Sequence, residues 1–148
     1  MNYIPGHGNH KAKLVIVGES PHQKDKRAFD SNKECDAILR EVGINRSEIW
    51  FTNVCKEFVP PNPAKGKKIP FQVRAKLAGI DLNNSLAELR NELASISPNC
   101  VLALGNTALW ATTGKFGKSS TKKMDDGSII DTTSGGITDY RGSILLGY

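Results

Sequence analysis

A run of apolar residues that stops at a glycine and a proline is the strongest constraint on how this chain folds. Leu14 to Val17 are consecutive apolar residues, most of them β-branched, and Gly18-Glu19-Ser20-Pro21 follows directly. An unbroken apolar run of this length, ended by Gly and Pro, is typical of a strand buried on both faces of a parallel sheet. The polar residues after it should project from the carboxyl end of the strand, which is the edge where open α/β sheets bind ligands.

The rest of the chain alternates strand-like segments with helical patterns. Further strands are predicted over residues 48–54, 100–104 and 143–146, and helices from residue 31 or 32, over 82–96 and over about 107–113. Residues 114–136 are rich in Gly, Ser, Thr and Lys, which predicts a long loop with at most a short hairpin. This alternation predicts an α/β fold, a three-layer α/β/α domain whose central sheet is parallel and four-stranded.

Two of the predicted helices carry a clear apolar stripe. Between residues 82 and 96 the apolar side chains recur at spacings of four, three, four and three, which is the pattern of an amphipathic helix. In the first helix, Ser31 or Asn32 can cap the amino terminus and Gly43 can end the helix. Its buried stripe is predicted to be Cys35, Ile38, Leu39 and Val42.

The bulk composition is that of an ordinary soluble protein. At 148 residues, the chain is predicted to form a single domain over residues 1–148. No apolar run approaches the ~20 residues of a membrane span and the first residues lack a signal-peptide pattern, so no membrane partner is expected. The cysteines are few and form no Cys-x-x-Cys pair, which predicts a reducing, cytoplasmic setting. His7 and His10 lie in a Gly-rich leader without neighbouring carboxylates or cysteines, so no metal site is predicted.

The chain is basic, and the surplus is concentrated in one stretch. Its formal net charge is +5, from 20 Lys and Arg against 15 Asp and Glu. Between residues 56 and 76 the one acidic residue is Glu57, whereas six residues are basic, namely Lys56, Lys65, Lys67, Lys68, Arg74 and Lys76. This distribution is compatible with a phosphate-backbone partner, and it fits a solvated loop equally well.

Polar clusters follow three of the predicted strands. They are Glu19-Ser20-Pro21, Thr52-Asn53 and Gly105-Asn106. Each cluster taken singly is equally well explained as a turn, but carboxyl ends of parallel strands meet at one edge, so together they predict a ligand site there. No Gly-x-Gly-x-x-Gly follows the first strand and no Walker lysine motif is present, which argues against a nucleotide-binding Rossmann-like enzyme.

In order and spacing, these clusters and their flanks resemble the uracil-DNA glycosylase superfamily, in the family 4-like branch typified by thermostable bacterial and archaeal enzymes and their phage relatives. The resemblance covers nearly the whole chain. The matching segments are residues 6–9, 17–21, Phe29, 43–46, 51–54 with Lys56, 60–62, 104–108 and 140–142.

In that family a uracil base is flipped out of DNA and its bond to deoxyribose is hydrolysed, which implies a role for each matching residue. Phe29 would stack on the base, and Asn53 would accept from uracil N3–H and donate to O4. Glu19 and the backbone of Ser20 would border the pocket and the attacking water. Asp25 lies where the family keeps a second acidic residue, so the resemblance implies that it positions the water.

The resemblance also implies partners. Uracil-containing DNA would be the substrate, with its phosphate backbone assigned to Lys56, Lys65, Lys67 and Lys68. The phage relatives leave open a virus-encoded protein in a bacterial host that acts beside replication proteins.

Two departures from the family change what is expected. The iron–sulfur branch uses four cysteines, but Glu57 and Ser85 stand where two of them should be, so no cluster and no other cofactor is predicted. The family's second catalytic motif, a His-Pro-Ser-like loop after the last strand, would begin close to Tyr148. The domain is therefore expected to be incomplete at its carboxyl end or to have lost the motif. In the family this motif would supply oxyanion-type stabilisation, the loss of which typically costs about 10²–10³ in rate. The resemblance therefore predicts impaired excision.

Two functional hypotheses follow. The first is a glycosylase that binds DNA and a flipped-out uracil and hydrolyses its N-glycosidic bond in base excision repair. The alternative is a catalytically silent DNA-binding or protein-interaction module of the same fold. The pocket residues matter only for the first hypothesis, whereas the basic loop suffices for the second.

Overall fold

A computed structural model describes residues 2–62, 69–115, 119–123, 129–133 and 147, the two short segments by their backbone alone. The strands are β1 (His7–Gly8), β2 (Leu14–Gly18), β3 (Ile49–Asn53), β4 (Cys100–Ala103), β5 (Ser119–Lys123) and β6 (Ile129–Thr133). The helices are α1 (Lys33–Glu41), α2 (Phe71–Leu77), α3 (Leu82–Ile96) and α4 (Asn106–Thr113). A short 3-10 turn, Arg46–Glu48, leads into β3.

The central sheet has four strands in the order β1-β3-β2-β4. The apolar strand β2 lies inside this sheet and pairs in parallel with β3 on one side and β4 on the other. Its last residue, Gly18, is in register with Asn53 at the end of β3. The residues that follow β2 and β3 therefore leave the sheet side by side at its carboxyl edge.

Helices cover both faces of this sheet, which gives the predicted three layers. On one face Val15 packs in a cluster with Leu89 of α3 and Ala108 of α4. On the other face Ile16 packs with Leu39 of α1. Alternate residues of β2 pack into clusters on opposite faces of the sheet, and both clusters are buried. This explains why the strand is apolar at every position instead of alternating apolar with polar residues. The predicted α/β class is thus confirmed.

The sheet differs from the prediction in the direction of one strand. β1 pairs antiparallel with β3, so the four-stranded sheet is mixed rather than wholly parallel. The predicted strand over residues 143–146 lies outside the described residues. The Gly-rich leader, for which no strand was predicted, pairs along β3, and Ile4 N donates to Lys56 O at 2.7 Å.

The first helix and β4 are less buried than their patterns predict. The side-chain oxygen of Asn32 caps α1 by accepting from Cys35 N at 2.9 Å, and Leu39 is buried. However, Ile38 and Val42 are 53% and 61% exposed, so the predicted apolar stripe is wrong at these two positions. β4 lies at one end of the strand order, and its side chains alternate between exposed and half-buried.

The remaining elements agree with the sequence prediction except for α2. α3 spans the predicted residues and is capped by Asp81, whose side chain accepts from Asn83 N at 2.9 Å. β5 and β6 form an antiparallel pair within the predicted 114–136 loop. The short helix α2 was not predicted, because its apolar residues are too few for a periodic signal. Within the described part of the chain, the helices are too short or too polar to cross a membrane.

Candidate functional site

A cavity of about 1050 Å³ opens at the carboxyl edge of the sheet. Its lining includes Gly18 at the end of β2 and the residues 19–25 that follow it. Asn53 at the end of β3, Leu104 after β4 and Arg74 of α2 also line it. The residues predicted to be catalytic or uracil-binding all line it, namely Glu19, Ser20, Asp25, Phe29 and Asn53.

Two backbone hydrogen bonds hold the cavity wall together beyond the ends of the strands. Val54 N donates to Gly18 O at 2.9 Å, and Cys55 N donates to Glu19 O at 3.0 Å. The chain after β2 therefore stays paired with the chain after β3. This pairing holds Glu19 and its neighbour Ser20 beside Asn53.

Gly18 lets the side chains of Asn53 and Phe29 approach each other. A Cβ at this position would lie 2.5 Å from Asn53 Oδ1 and 2.8 Å from Phe29 Cζ. Both distances are shorter than real Cβ contacts, so any side chain here would displace the amide or the ring. The φ of Gly18 is not positive, so its backbone conformation does not require glycine. Glycine is needed here because the two side chains come too close to leave room for a Cβ.

Phe29 and Asn53 have complementary properties at this point. Phe29 is buried and its ring packs against Phe51 with centroids 5.6 Å apart, tilted by 48°. Asn53 is also buried, and its backbone oxygen accepts from Lys56 Nζ at 2.9 Å. Its side-chain amide makes no hydrogen bond to the described residues. The site thus offers an apolar ring beside an amide with donor and acceptor capacity to spare.

Asp25 carries a carboxylate oxygen without a partner. The residue is 4% exposed, and its Oδ2 accepts from His22 N at 2.8 Å, while Asp25 N donates to His22 O at 3.1 Å. This local turn fixes the side chain. The other oxygen, Oδ1, is buried and has no hydrogen-bond partner in the described structure. A buried carboxylate oxygen without a donor is costly, so a water or ligand donor in the cavity would satisfy it.

Glu19, the other predicted catalytic carboxylate, is held differently. Its Oε1 accepts from Arg74 Nη2 at 3.1 Å, and its Oε2 accepts from Thr107 Oγ1 at 2.5 Å. Arg74 is itself held by Pro60 O, which accepts from its Nη1 at 2.8 Å. Both Glu19 oxygens therefore have partners, from α2 and α4, although the side chain is 39% exposed. Its carboxylate is a fixed negative charge at the cavity, whereas that of Asp25 keeps an open acceptor.

Lys56, one of the four predicted DNA-binding lysines, is not available to DNA. It is 2% exposed, and its Nζ lies 2.5 Å from Glu92 Oε2 on α3. Burial lowers the pKa of this ammonium, and the Glu92 carboxylate opposes that shift. The sequence could not show that Lys56 is buried and paired, because its partner Glu92 lies 36 residues further along the chain. The other three, Lys65, Lys67 and Lys68, lie outside the described residues.

Two lysines beside the cavity escaped the sequence reasoning. Lys24 lines the cavity and is exposed, and Lys26 is exposed in the same loop, on either side of the buried Asp25. Arg27, the next basic residue, is instead paired with Asp30 at 2.9 Å. Their role could have been inferred from the sequence, because both lysines are direct neighbours of Asp25, the predicted water-positioning residue.

The residues around Cys55 do not suit an iron–sulfur cluster. Such clusters are held by Cys thiolates, usually four. Cys55 is buried, its Sγ lies 3.8 Å from Ser85 Oγ, and burial raises the pKa of the thiol to about 11. This thiol has the Ser85 hydroxyl beside it, where a cluster would need further thiolates. Among the described residues, no group of three or more His, Cys, Asp or Glu is placed to hold a metal ion.

Comparison with known proteins gives consistent matches. The family model of the uracil DNA glycosylase superfamily matches residues 5–141. A type-4 uracil-DNA glycosylase of Archaeoglobus fulgidus is 30% identical over 112 residues, which are 72% of this chain and 50% of the relative. One of Thermotoga maritima is 34% identical over 113 residues, 73% of this chain and 53% of the relative. The chain thus spans about half the length of the curated relatives it matches.

Proposed function

Since this chain belongs to the uracil-DNA glycosylase superfamily, we propose that it binds DNA, accepts a flipped-out uracil in the carboxyl-edge cavity and hydrolyses its N-glycosidic bond. The observation that carries the proposal is the meeting of Phe29 and Asn53 over Gly18. A base-recognition pocket needs a ring to stack on and a fixed amide to read the base edge, and these two side chains supply both.

Asn53 accounts for selection of uracil over cytosine. Its Oδ1 accepts from uracil N3–H and its Nδ2 donates to uracil O4. Cytosine presents an unprotonated N3 and an amino group at the same places, so both hydrogen bonds would be lost and buried groups would face like groups. A site built on paired hydrogen bonds rejects such an analogue strongly, because its polar atoms are left without partners.

Asp25 is the residue proposed to position the attacking water. The unpartnered Oδ1 accepts a hydrogen bond from the water, whose oxygen forms a bond to C1′ as the C1′–N1 bond breaks. The bonding electrons leave with N1 on the uracil anion, and the proton released from the water passes to Asp25. The carboxylate of Glu19, held by Arg74 and Thr107, stabilises the positive charge that develops on the sugar.

We assign contact with the DNA backbone to five lysines. Lys24 and Lys26 are exposed beside the cavity, and Lys65, Lys67 and Lys68 keep the role that was predicted from the sequence. The phosphates that flank a flipped nucleotide lie near the mouth of the pocket. Lysine side chains there would neutralise the phosphate charge and so favour DNA binding. The proposed hydrolysis consumes only water and uses no cofactor.

The test is cleavage of an end-labelled single-stranded oligonucleotide with one uracil, at enzyme excess, followed by alkali. The wild type should cleave at uracil, and Asn53→Ala and Asp25→Asn should each lose most of this activity. Asn84→Ala, at an exposed position of α3, is the matched control and should cleave like the wild type.

The alternative function has its own outcome in this experiment. Binding of the same oligonucleotide without cleavage by the wild type would indicate the catalytically silent DNA-binding module. Cleavage that survives in Asn53→Ala would show that the base is read by other residues.

A further inference from the structure

We propose that Arg46 is a positioning residue that holds the Phe29 ring in its base-stacking place; this inference rests on the proposed function. Arg46 does not line the carboxyl-edge cavity, so it would act on the base only through Phe29. It belongs to the 3-10 turn before β3, which lies well away from Phe29 in the sequence.

The guanidinium of Arg46 contacts the backbone on which Phe29 sits. Its Nη2 donates to Ala28 O at 3.3 Å and to Phe29 O at 3.2 Å. Its Nη1 forms an ion pair with Asp36 of α1. One planar group therefore connects the turn before β3, the turn at Phe29 and the first helix.

The same guanidinium also contacts the ring beneath Phe29. Its Cζ lies 4.1 Å from the centroid of Phe51, and Phe51 packs against Phe29. A guanidinium at this distance over an aromatic face is attracted to the ring. Arg46 thus holds both the backbone of Phe29 and the surface on which its side chain rests.

Phe29 needs this support because its backbone is strained. Its φ is +61°, in the left-handed region that residues with a Cβ rarely adopt. Among the described residues, the one other donor to its carbonyl is Asn32 N, at a long 3.3 Å. The two bonds from Arg46 satisfy the carbonyls in this conformation, and a relaxed φ would carry the ring away from Gly18 and Asn53.

A lysine could not replace this arginine. Hydrogen bonds to two carbonyls, an ion pair and stacking on Phe51 together require a flat group with several fixed donors, whereas an ammonium is a point charge. Arg46→Lys should therefore behave almost like Arg46→Met. Full recovery of excision in Arg46→Lys would overturn the proposal.

The decisive measurement is a double-mutant cycle on single-turnover uracil excision. Arg46→Met should slow excision roughly tenfold or more, since a charged donor to two carbonyls is removed. Phe29→Ala should also slow it, and the double variant should be no slower than Phe29→Ala. A double variant slowed by the product of the two single effects would show that Arg46 does not act through Phe29.

A second readout does not depend on excision. In Arg46→Met the amide of Asn32, which donates to Phe29 O, should exchange hydrogen faster, while amides of α3 keep the wild-type rate. Asp36→Asn, which keeps the guanidinium, should give a smaller change of the same sign and serves if Arg46→Met does not fold. Unchanged exchange at Asn32 in both variants would overturn the proposal. Faster exchange together with an inactive wild type would refute the proposed function alone.

Discussion

At the carboxyl-edge cavity, the absence of a side chain at Gly18 leaves room for Asn53 and Phe29 to lie close together. Gly18→Ala should reduce uracil excision severely, because the added Cβ would lie 2.5 Å from Asn53 Oδ1 and 2.8 Å from Phe29 Cζ. Single-turnover excision and the thermal midpoint together check this.

Gly79→Ala is the matched control for Gly18→Ala. Its φ is +77° and it has open space, so it should cost about 1 kcal/mol of stability but leave excision unchanged. An active Gly18→Ala protein would show that the ring and the amide can separate without loss of function.

The two exposed lysines that flank Asp25 are expected to bind phosphate. Replacing Lys24 and Lys26 together with Gln should weaken binding of any single-stranded oligonucleotide. The slope of log affinity against log salt should fall by up to ~0.7 for each phosphate that is no longer neutralised. The control pair, Lys11 and Lys13, is exposed before β2 at the opposite edge of the sheet and should leave the slope unchanged. Equal slopes in all three proteins would place the DNA elsewhere.

Between elements, a network of three hydrogen bonds joins β3 and the residues after it to α3. Glu92 accepts from Trp50 Nε1 at 2.7 Å, from Thr52 Oγ1 at 2.8 Å and from Lys56 Nζ at 2.5 Å. Glu92→Leu should lower the free energy of unfolding by about 3–5 kcal/mol, because it leaves a buried ammonium without its counter-ion. Urea denaturation measures this decrease.

The companion variants test that explanation of the Glu92 effect. Glu92→Leu combined with Lys56→Met should recover much of the stability, since neither charge then remains buried alone. Glu41→Leu, which removes an exposed carboxylate of α1, should change stability by less than about 0.5 kcal/mol. A double variant as unstable as Glu92→Leu would assign the cost to the missing tryptophan and threonine hydrogen bonds.

The stability of the whole molecule should depend on pH through His7. Burial, followed by the charges of Arg46 and Arg27, lowers the pKa of this imidazole below its usual 6.5, although Asp30 opposes the shift. As pH falls through about 6.5, His7 therefore takes up a proton in the unfolded chain but remains neutral in the folded chain. Stability therefore falls as pH drops from 6.5 towards the lowered pKa.

His7→Gln should remove that part of the pH dependence. Urea midpoints at about pH 7.5 and about pH 5 should differ less in His7→Gln than in the wild type. His22→Gln, at an exposed ring, is the control and should keep the wild-type difference. An unchanged difference in His7→Gln would mean that the folded chain accepts the proton at this ring.

Local patterns in the sequence determined the α/β class, the extent of α3 and the grouping of polar residues at the carboxyl edge. Each follows from short-range chemistry: an apolar run, a helical period, a cap, or turn residues after a strand. Through the family resemblance, the sequence also identified five of the residues that line the cavity. It could not determine the antiparallel β1 or the exposure of Ile38 and Val42, because neither has a local signature.

Only the tertiary structure decided which charges are engaged. Glu19 and Asp25 look equivalent in the sequence, yet the Glu19 carboxylate is occupied by Thr107, 88 residues away, and Asp25 keeps an unpartnered oxygen. Lys56 belongs to a basic stretch, yet Glu92 and the sheet bury it. Burial and pairing arise from residues distant along the chain, and they determine which side chains remain available for chemistry.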